Sequence, residues 1–175
     1  FWRILWERLE MKHSRFYTEE CLVPSVSTIG HRRNKSVYER DALSGVVGDK
    51  GIQTTSEDLY RWFFHLRTLV SDSSLAMAWA PQNCDMDECS NYGFGWRLTC
   101  DAQGNRLVYH GGLWNGNHCL MVYRPIDHTF LLFLSNWCNG AFQHRSDTVL
   151  EIMKCLHAAQ DAAKNSPCDW PDPVK

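Results

Sequence analysis

Residues 91–136 constrain the fold of this chain more than any other stretch. Four runs, at 94–100, 106–110, 118–123 and 128–134, are rich in Val, Leu, Phe, Tyr and Trp. Turn-forming residues separate them: Asp101-Ala102-Gln103-Gly104-Asn105, the glycines from 111 to 116, and Pro125-Ile126-Asp127. Apolar runs of this length bounded by Gly, Asn, Asp and Pro predict strands joined as antiparallel hairpins. The segments on either side of the glycines are either separate strands or one bent strand, so the sheet has at least three strands. The last run, Phe130-Leu131-Leu132-Phe133-Leu134, is continuous rather than alternating, which predicts a strand covered on both faces.

Helical patterns flank this sheet. Ile4, Leu5 and Leu9 fall at helical spacing near the start. Thr55-Ser56-Glu57-Asp58 reads as a helix N-terminus, with the Thr55 hydroxyl placed to accept from first-turn N–H groups and two acids at the positive end of the dipole. Leu59, Trp62, Phe63 and Leu66 form its apolar stripe and are expected in the core. A short helix is expected over 74–79, ending before Pro81. A final helix capped by Ser146 or Asp147 would bury Val149, Leu150, Met153 and Leu156. Residues 21–50 are a long polar connection of the kind that packs across a neighbouring element, and 82–90 reads as an acidic loop. The fold class is therefore α+β, an antiparallel sheet packed against helices. Residues 1–90 are expected to form the end of a helical region with loops and the 55–69 helix, 91–164 the strands and C-terminal helix, and 165–175 an irregular tail, together one structural domain truncated at its N-terminus.

Composition narrows the function. A net charge of −2 with one compact basic cluster, His31-Arg32-Arg33, gives no support to nucleic-acid binding. No stretch is long and apolar enough to span a bilayer. The chain opens Phe-Trp-Arg-Ile without an initiator Met or signal pattern, which suggests an interior point of a longer product. Of eight cysteines only Cys84 and Cys89 are close in sequence, at a spacing wider than zinc knuckles use. Most cysteines sit in apolar runs and read as small buried thiols, although disulfides stay open for an exported protein. No metal or cofactor is implied. None of the six lysines has a serine three positions before it, and no G-x-S-x-G elbow, H-E-x-x-H helix, P-loop or G-x-G-x-x-G turn occurs.

Several motifs in order carry a resemblance. Gly51 followed by Thr55-Ser56-Glu57-Asp58-Leu59 and Trp62 resembles the T-x-E-D-L-x-x-W helix start of the serine beta-lactamase and penicillin-binding-protein-like hydrolases, the class C-related subset in particular. Leu9-Glu10-Met11-Lys12-His13-Ser14-Arg15-Phe16 resembles their P-L-G-M-x-x-T-x-F segment, with Glu10 in the glycine position. Tyr92-Gly93-Phe94-Gly95-Trp96 resembles Y-G-x-G-W, His110-Gly111-Gly112 the third active-site motif (K-T-G or H-x-G), and Phe133-Leu134-Ser135-Asn136 the closing core strand. These similarities span residues 9–136. The resemblance implies a partial beta-lactamase/transpeptidase-like fold that is the family's C-terminal portion only, with the S-x-x-K and Y-x-N motifs in a missing N-terminal half that would act as its partner. It implies acyl transfer on a beta-lactam, a peptidoglycan-like peptide or a small ester or amide, a periplasmic or extracellular location, and no activity for this chain alone. A noncatalytic binding module derived from the same fold is the alternative.

The expected site follows from the third motif. His110 would donate to a substrate carboxylate or assist proton movement, unless it is a strand-end histidine bonded to backbone. The backbone N–H of Leu113 would form half of an oxyanion hole. Gly111 and Gly112 would let substrate approach, and Gly111 stands where the family usually has Thr or Asn. Trp114 and Asn115 would line the cleft, Trp114 alternatively capping the core.

Overall fold

The computed structural model describes residues 2–17, 28–39, 42–46, 48, 50–82, 84–85, 88–89, 91–138, 151–156 and 158. Helix α1 (Trp2–Arg8) leads to a two-residue strand β1 (Arg15–Phe16), which pairs antiparallel with β2 (Ile52–Gln53). Helices α2 (Ser56–Phe64), α3 (Leu66–Leu69) and α4 (Asp72–Ala78) follow. The expected 82–90 loop contains a minimal antiparallel pair, β3 (Cys84–Asp85) with β4 (Glu88–Cys89). The main sheet is β5 (Arg97–Cys100), β6 (Arg106–Trp114), β7 (Asn117–Arg124) and β8 (Thr129–Ser135), antiparallel and in sequence order. Residues 151–156 are helical. The expected cap at Ser146 or Asp147, and the tail 165–175, lie outside the described residues.

Gly111 and Gly112 do not break the chain. The β6–β7 register runs unbroken from Val108↔Tyr123 to Trp114↔Asn117. The reversal is made instead by Asn115 and Gly116, both at positive φ (44° and 78°). An Asn-Gly pair with that geometry is the two-residue type I′ turn whose twist matches the strands it joins. The dipeptide was in the sequence, but the two glycines before it obscured the signal.

Because successive strand residues face opposite ways, the unbroken register sorts the side chains into two cores. Val108, Tyr123 and Leu98 pack with Phe63 of α2 and with Trp96, and Trp62, Leu66, Met121 and Phe130 adjoin them. Leu107, Tyr109, Leu120 and Val122 pack on the other face with Met153 of the C-terminal helical segment. The sheet is thus filled between α2 and residues 151–156, the antiparallel sheet against helices that the pattern predicts. Phe63 is the hub of the first core, with ring centres 4.6 Å from Phe130, 4.9 Å from Tyr123 and 6.0 Å from Trp96.

Two expectations about burial need correction. The side chains of β8 are mostly half-buried, and Leu134 is 42% exposed. Among the described strands β8 stands at the sheet edge, so a continuous apolar run did not require full cover on both faces. Cys100, Cys119 and Cys155 are exposed rather than small buried thiols. Cys119 lies on a strand face beyond the reach of α2, and Cys100 ends β5.

Candidate active-site strand

Local chemistry fixes α2 and, through it, the segment before β1. Thr55 caps the helix, its hydroxyl accepting from the Asp58 N–H at 3.2 Å. Asp58 is 1% exposed, and its carboxylate accepts from the His13 N–H and the Ser14 hydroxyl, each at 2.8 Å. A buried carboxylate must find such donors, so Asp58 ties the helix to residues 13–14. Glu10 sits at φ 54°, in the left-handed region that its place in the motif predicts for a glycine.

The hairpin that carries the expected site is clamped at its tip. The Asn115 side chain donates to the buried Ser44 hydroxyl at 2.8 Å. Gly30 and Gly116 lie where the two backbones meet, and a Cβ on Gly116 would come within 2.5 Å of the His31 nitrogen. His31 forms bridges to Val37 and Trp137, and Asn136 donates from its side chain to the Ile29 carbonyl at 2.9 Å. Within the expected 21–50 connection, residues 29–31 and Ser44 thus pack across the β6–β7 turn and the end of β8, while 21–27, 40, 41, 47 and 49 lie outside the described residues. The Lys50 ammonium lies 4.5 Å from the centre of the Trp114 ring.

The predicted site residues separate by strand parity. His110, Gly112 and Trp114 share the α2 side of β6, whereas Gly111 and Leu113 share the opposite side, and Asn115 is in the turn. Leu113 is 45% exposed, so its side chain takes no part in either core. An imidazole at 110 and a side chain at 113 cannot serve one pocket, whereas a backbone N–H lies in the plane of the sheet and belongs to neither face. β5 pairs with β6 only as far as Tyr109. From His110 onward β6 therefore outruns its neighbour on that side, and His110 stands at the step.

His110 is only half-buried and is not in either core. Its Nε2 lies 3.0 Å from the Tyr92 hydroxyl, and the two rings meet edge-on at 74°. Tyr92 is a partner that the sequence reading missed. It is the first residue of Tyr-Gly-Phe-Gly-Trp, a motif whose sequence signal marks the start of a strand and carries no hint of a partner 18 positions on. Among the described residues no group of His, Cys, Asp and Glu is suited to hold a metal, and no helix is long and apolar enough to cross a membrane.

Comparison with known proteins agrees with this architecture. Penicillin-binding protein 4* of Bacillus subtilis (strain 168) is 32% identical over 133 residues, covering 74% of this chain and 28% of that protein. A penicillin-binding protein from Bacillus halodurans superimposes with a TM-score of 0.63 at 19% identity, covering 88% of this chain and 47% of that one. An octameric penicillin-binding protein homologue from Pyrococcus abyssi gives 0.62 at 18% identity, covering 78% and 33%. The chain thus spans less than half the length of each of these relatives. The beta-lactamase family model matches residues 1–152. That match corrects the expected limits: the likeness is not held to residues 9–136 or to a C-terminal portion only, and it takes in most of the chain from residue 1. The missing N-terminal half expected as a partner is withdrawn on the same finding. With a family match of that extent and a sheet, helix and motif order that agree with it, this chain belongs to the beta-lactamase family.

Proposed function

We propose that β6 forms one wall of an acyl-group site of the beta-lactamase-related serine-hydrolase type, acting on a beta-lactam, a D-Ala-D-Ala-like peptide or a small ester or amide. His110 would face the substrate carboxylate, the Leu113 N–H would stabilise the developing oxyanion, and Gly111 and Gly112 would keep the strand open to close approach. Trp114 and Asn115 would bound the far end. The observation that carries this reading is the position of His110, half-exposed at the step where β6 outruns β5, within the third-motif place of a family member. An extracytoplasmic location belongs to the same reading and rests on resemblance alone.

The sequence holds neither an S-x-x-K nor a G-x-S-x-G nucleophile. We therefore expect the 175-residue chain to show no cephalosporin hydrolysis and no covalent labelling by a serine-directed fluorophosphonate. Turnover above the His110→Gln background would overturn that expectation. A noncatalytic binding module is the second reading, favoured by glycine at 111 in place of a hydroxyl or amide. Calorimetric binding of N-acetyl-D-alanyl-D-alanine without turnover, weakened in His110→Gln, would favour it.

A further inference from the structure

We infer that Tyr92 is a positioning residue for His110: its hydroxyl donates to Nε2, turning the imidazole to one orientation and placing the ring proton on Nδ1. The inference rests on the proposed site but concerns a contact that can be read without it.

The Tyr92 backbone is held on both sides. Its carbonyl accepts from the Gln82 N–H at 3.0 Å, and it forms a bridge with Arg97. The next residues form a tight knot. Gly93 is buried, its N–H donates to the Trp96 carbonyl at 2.7 Å, and a Cβ there would collide with the carbonyls of Ala78 and Ala80. Phe94 donates to the Ala78 carbonyl at 3.0 Å, and Gly95 takes φ 76°. Both glycines of the motif are thus required by backbone geometry, and their effect is to anchor the chain at Tyr92 to the end of α4. The Arg97 guanidinium lies 5.6 Å from the Tyr92 ring centre, within cation–π range. The backbone anchor and the Arg97 contact hold the phenol, itself 37% exposed, beside the imidazole.

The direction of the bond follows from the groups. A neutral imidazole has one nitrogen that donates and one that accepts, and a partner at one nitrogen decides where the proton sits on the other. The 3.0 Å contact admits either direction, but a phenol O–H is a stronger donor than an imidazole N–H and an imidazole nitrogen a stronger acceptor than a phenol oxygen, so Nε2 is assigned as acceptor and Nδ1 as the carrier of the hydrogen. Tyr92 touches the imidazole and acts on a ligand only through it.

The test is long-range 1H–15N spectroscopy of the 175-residue chain labelled in histidine, with His110 assigned by its loss in His110→Gln. The wild-type chain should show His110 as the Nδ1–H tautomer. Tyr92→Phe, which keeps the ring and its Arg97 contact, should move the tautomer ratio about fivefold towards Nε2–H, the equivalent of about 1 kcal/mol for one hydrogen bond. A wild-type ring in the Nε2–H form, or a ratio unmoved in a folded Tyr92→Phe, overturns the inference. The wild-type spectrum alone decides the matter should that variant fold poorly. Titration with N-acetyl-D-alanyl-D-alanine separates the two readings: the expected tautomer with unperturbed His110 signals supports the role of Tyr92 while removing the proposed function.

Discussion

Glu10 shows how a family position can be legible while the residue occupying it is not ideal. Its φ of 54° places a Cβ where the left-handed region crowds it, and its carboxylate gains little from the Arg61 guanidinium 3.6 Å away, since both side chains are exposed. Glu10→Gly should therefore raise stability by about 0.5–1 kcal/mol, read as a higher midpoint in urea. The opposite holds at Gly116, where φ is 78° and the His31 backbone leaves no room. Gly116→Ala should cost at least about 2 kcal/mol in the same measurement, combining αL strain with displacement of backbone. The sequence revealed that glycines crowd this region. It could not reveal which of them turn the chain, because that depends on residues 30–31, distant in sequence, meeting the tip.

At the scale of elements, the start of α2 was readable to the residue, since a cap is a local matter of one hydroxyl and one N–H. What Asp58 does beyond the helix was not, because its donors come from residues 13 and 14. Asp58→Ala removes the acceptor of both donors at once and should cost about 2–4 kcal/mol, whereas Thr55→Ala should cost about 1 kcal/mol. Thermal melts of the two variants test that order. The two hairpin turns at the other end of the sheet meet on Arg124, which is 1% exposed and bonds Asp127 at 3.0 and 2.5 Å with Asp101 at 3.6 Å. Hydrogen bonding from Arg124 holds the Asp127 carboxyl far below the usual carboxylate range. Burial pushes Asp101 up, but bonds from the Asn105 side chain and N–H, the Gln103 N–H and the Arg124 charge outweigh it and leave it lowered. Carboxylates depressed in the fold contribute stability that is complete above their unfolded value, near 3.8, and is lost as pH falls through the folded values. The melting temperature should thus hold steady from pH 7 to about 5 and drop below about pH 4. Asp127 is partly exposed, so solvent screening makes its contribution smaller than its depression alone implies. Arg124→Met should lower stability at pH 7 by about 3–5 kcal/mol and flatten the acid limb.

The whole molecule follows from alternation along β6 and β7. Strand positions, the α2 stripe and the α+β class were legible because each rests on local periodicity. The division into two cores is not legible from periodicity, since it needs the register, and the register depends on which of residues 111–116 turn the chain. Phe63 should be the most sensitive apolar position described: Phe63→Ala should cost about 3–5 kcal/mol. Native-state hydrogen exchange should find the slowest amides in the middle of β6 and β7, where both faces are covered. Of the candidate site, the third-motif strand was visible from its glycines and histidine, and its tyrosine partner was hidden because 18 residues and a hairpin separate them.

The wedged Asn115-Gly116 tip also fixes the length of β6. One residue inserted between His110 and Asn115 could not be taken up by a longer loop, because the tip is pinned against Gly30 and His31. It would have to be absorbed as a bulge or as a slip by one position, and a slip exchanges inward for outward along the whole strand. Variation in this part of the molecule is therefore confined to swapping side chains in place, with the residue count of the strand held constant.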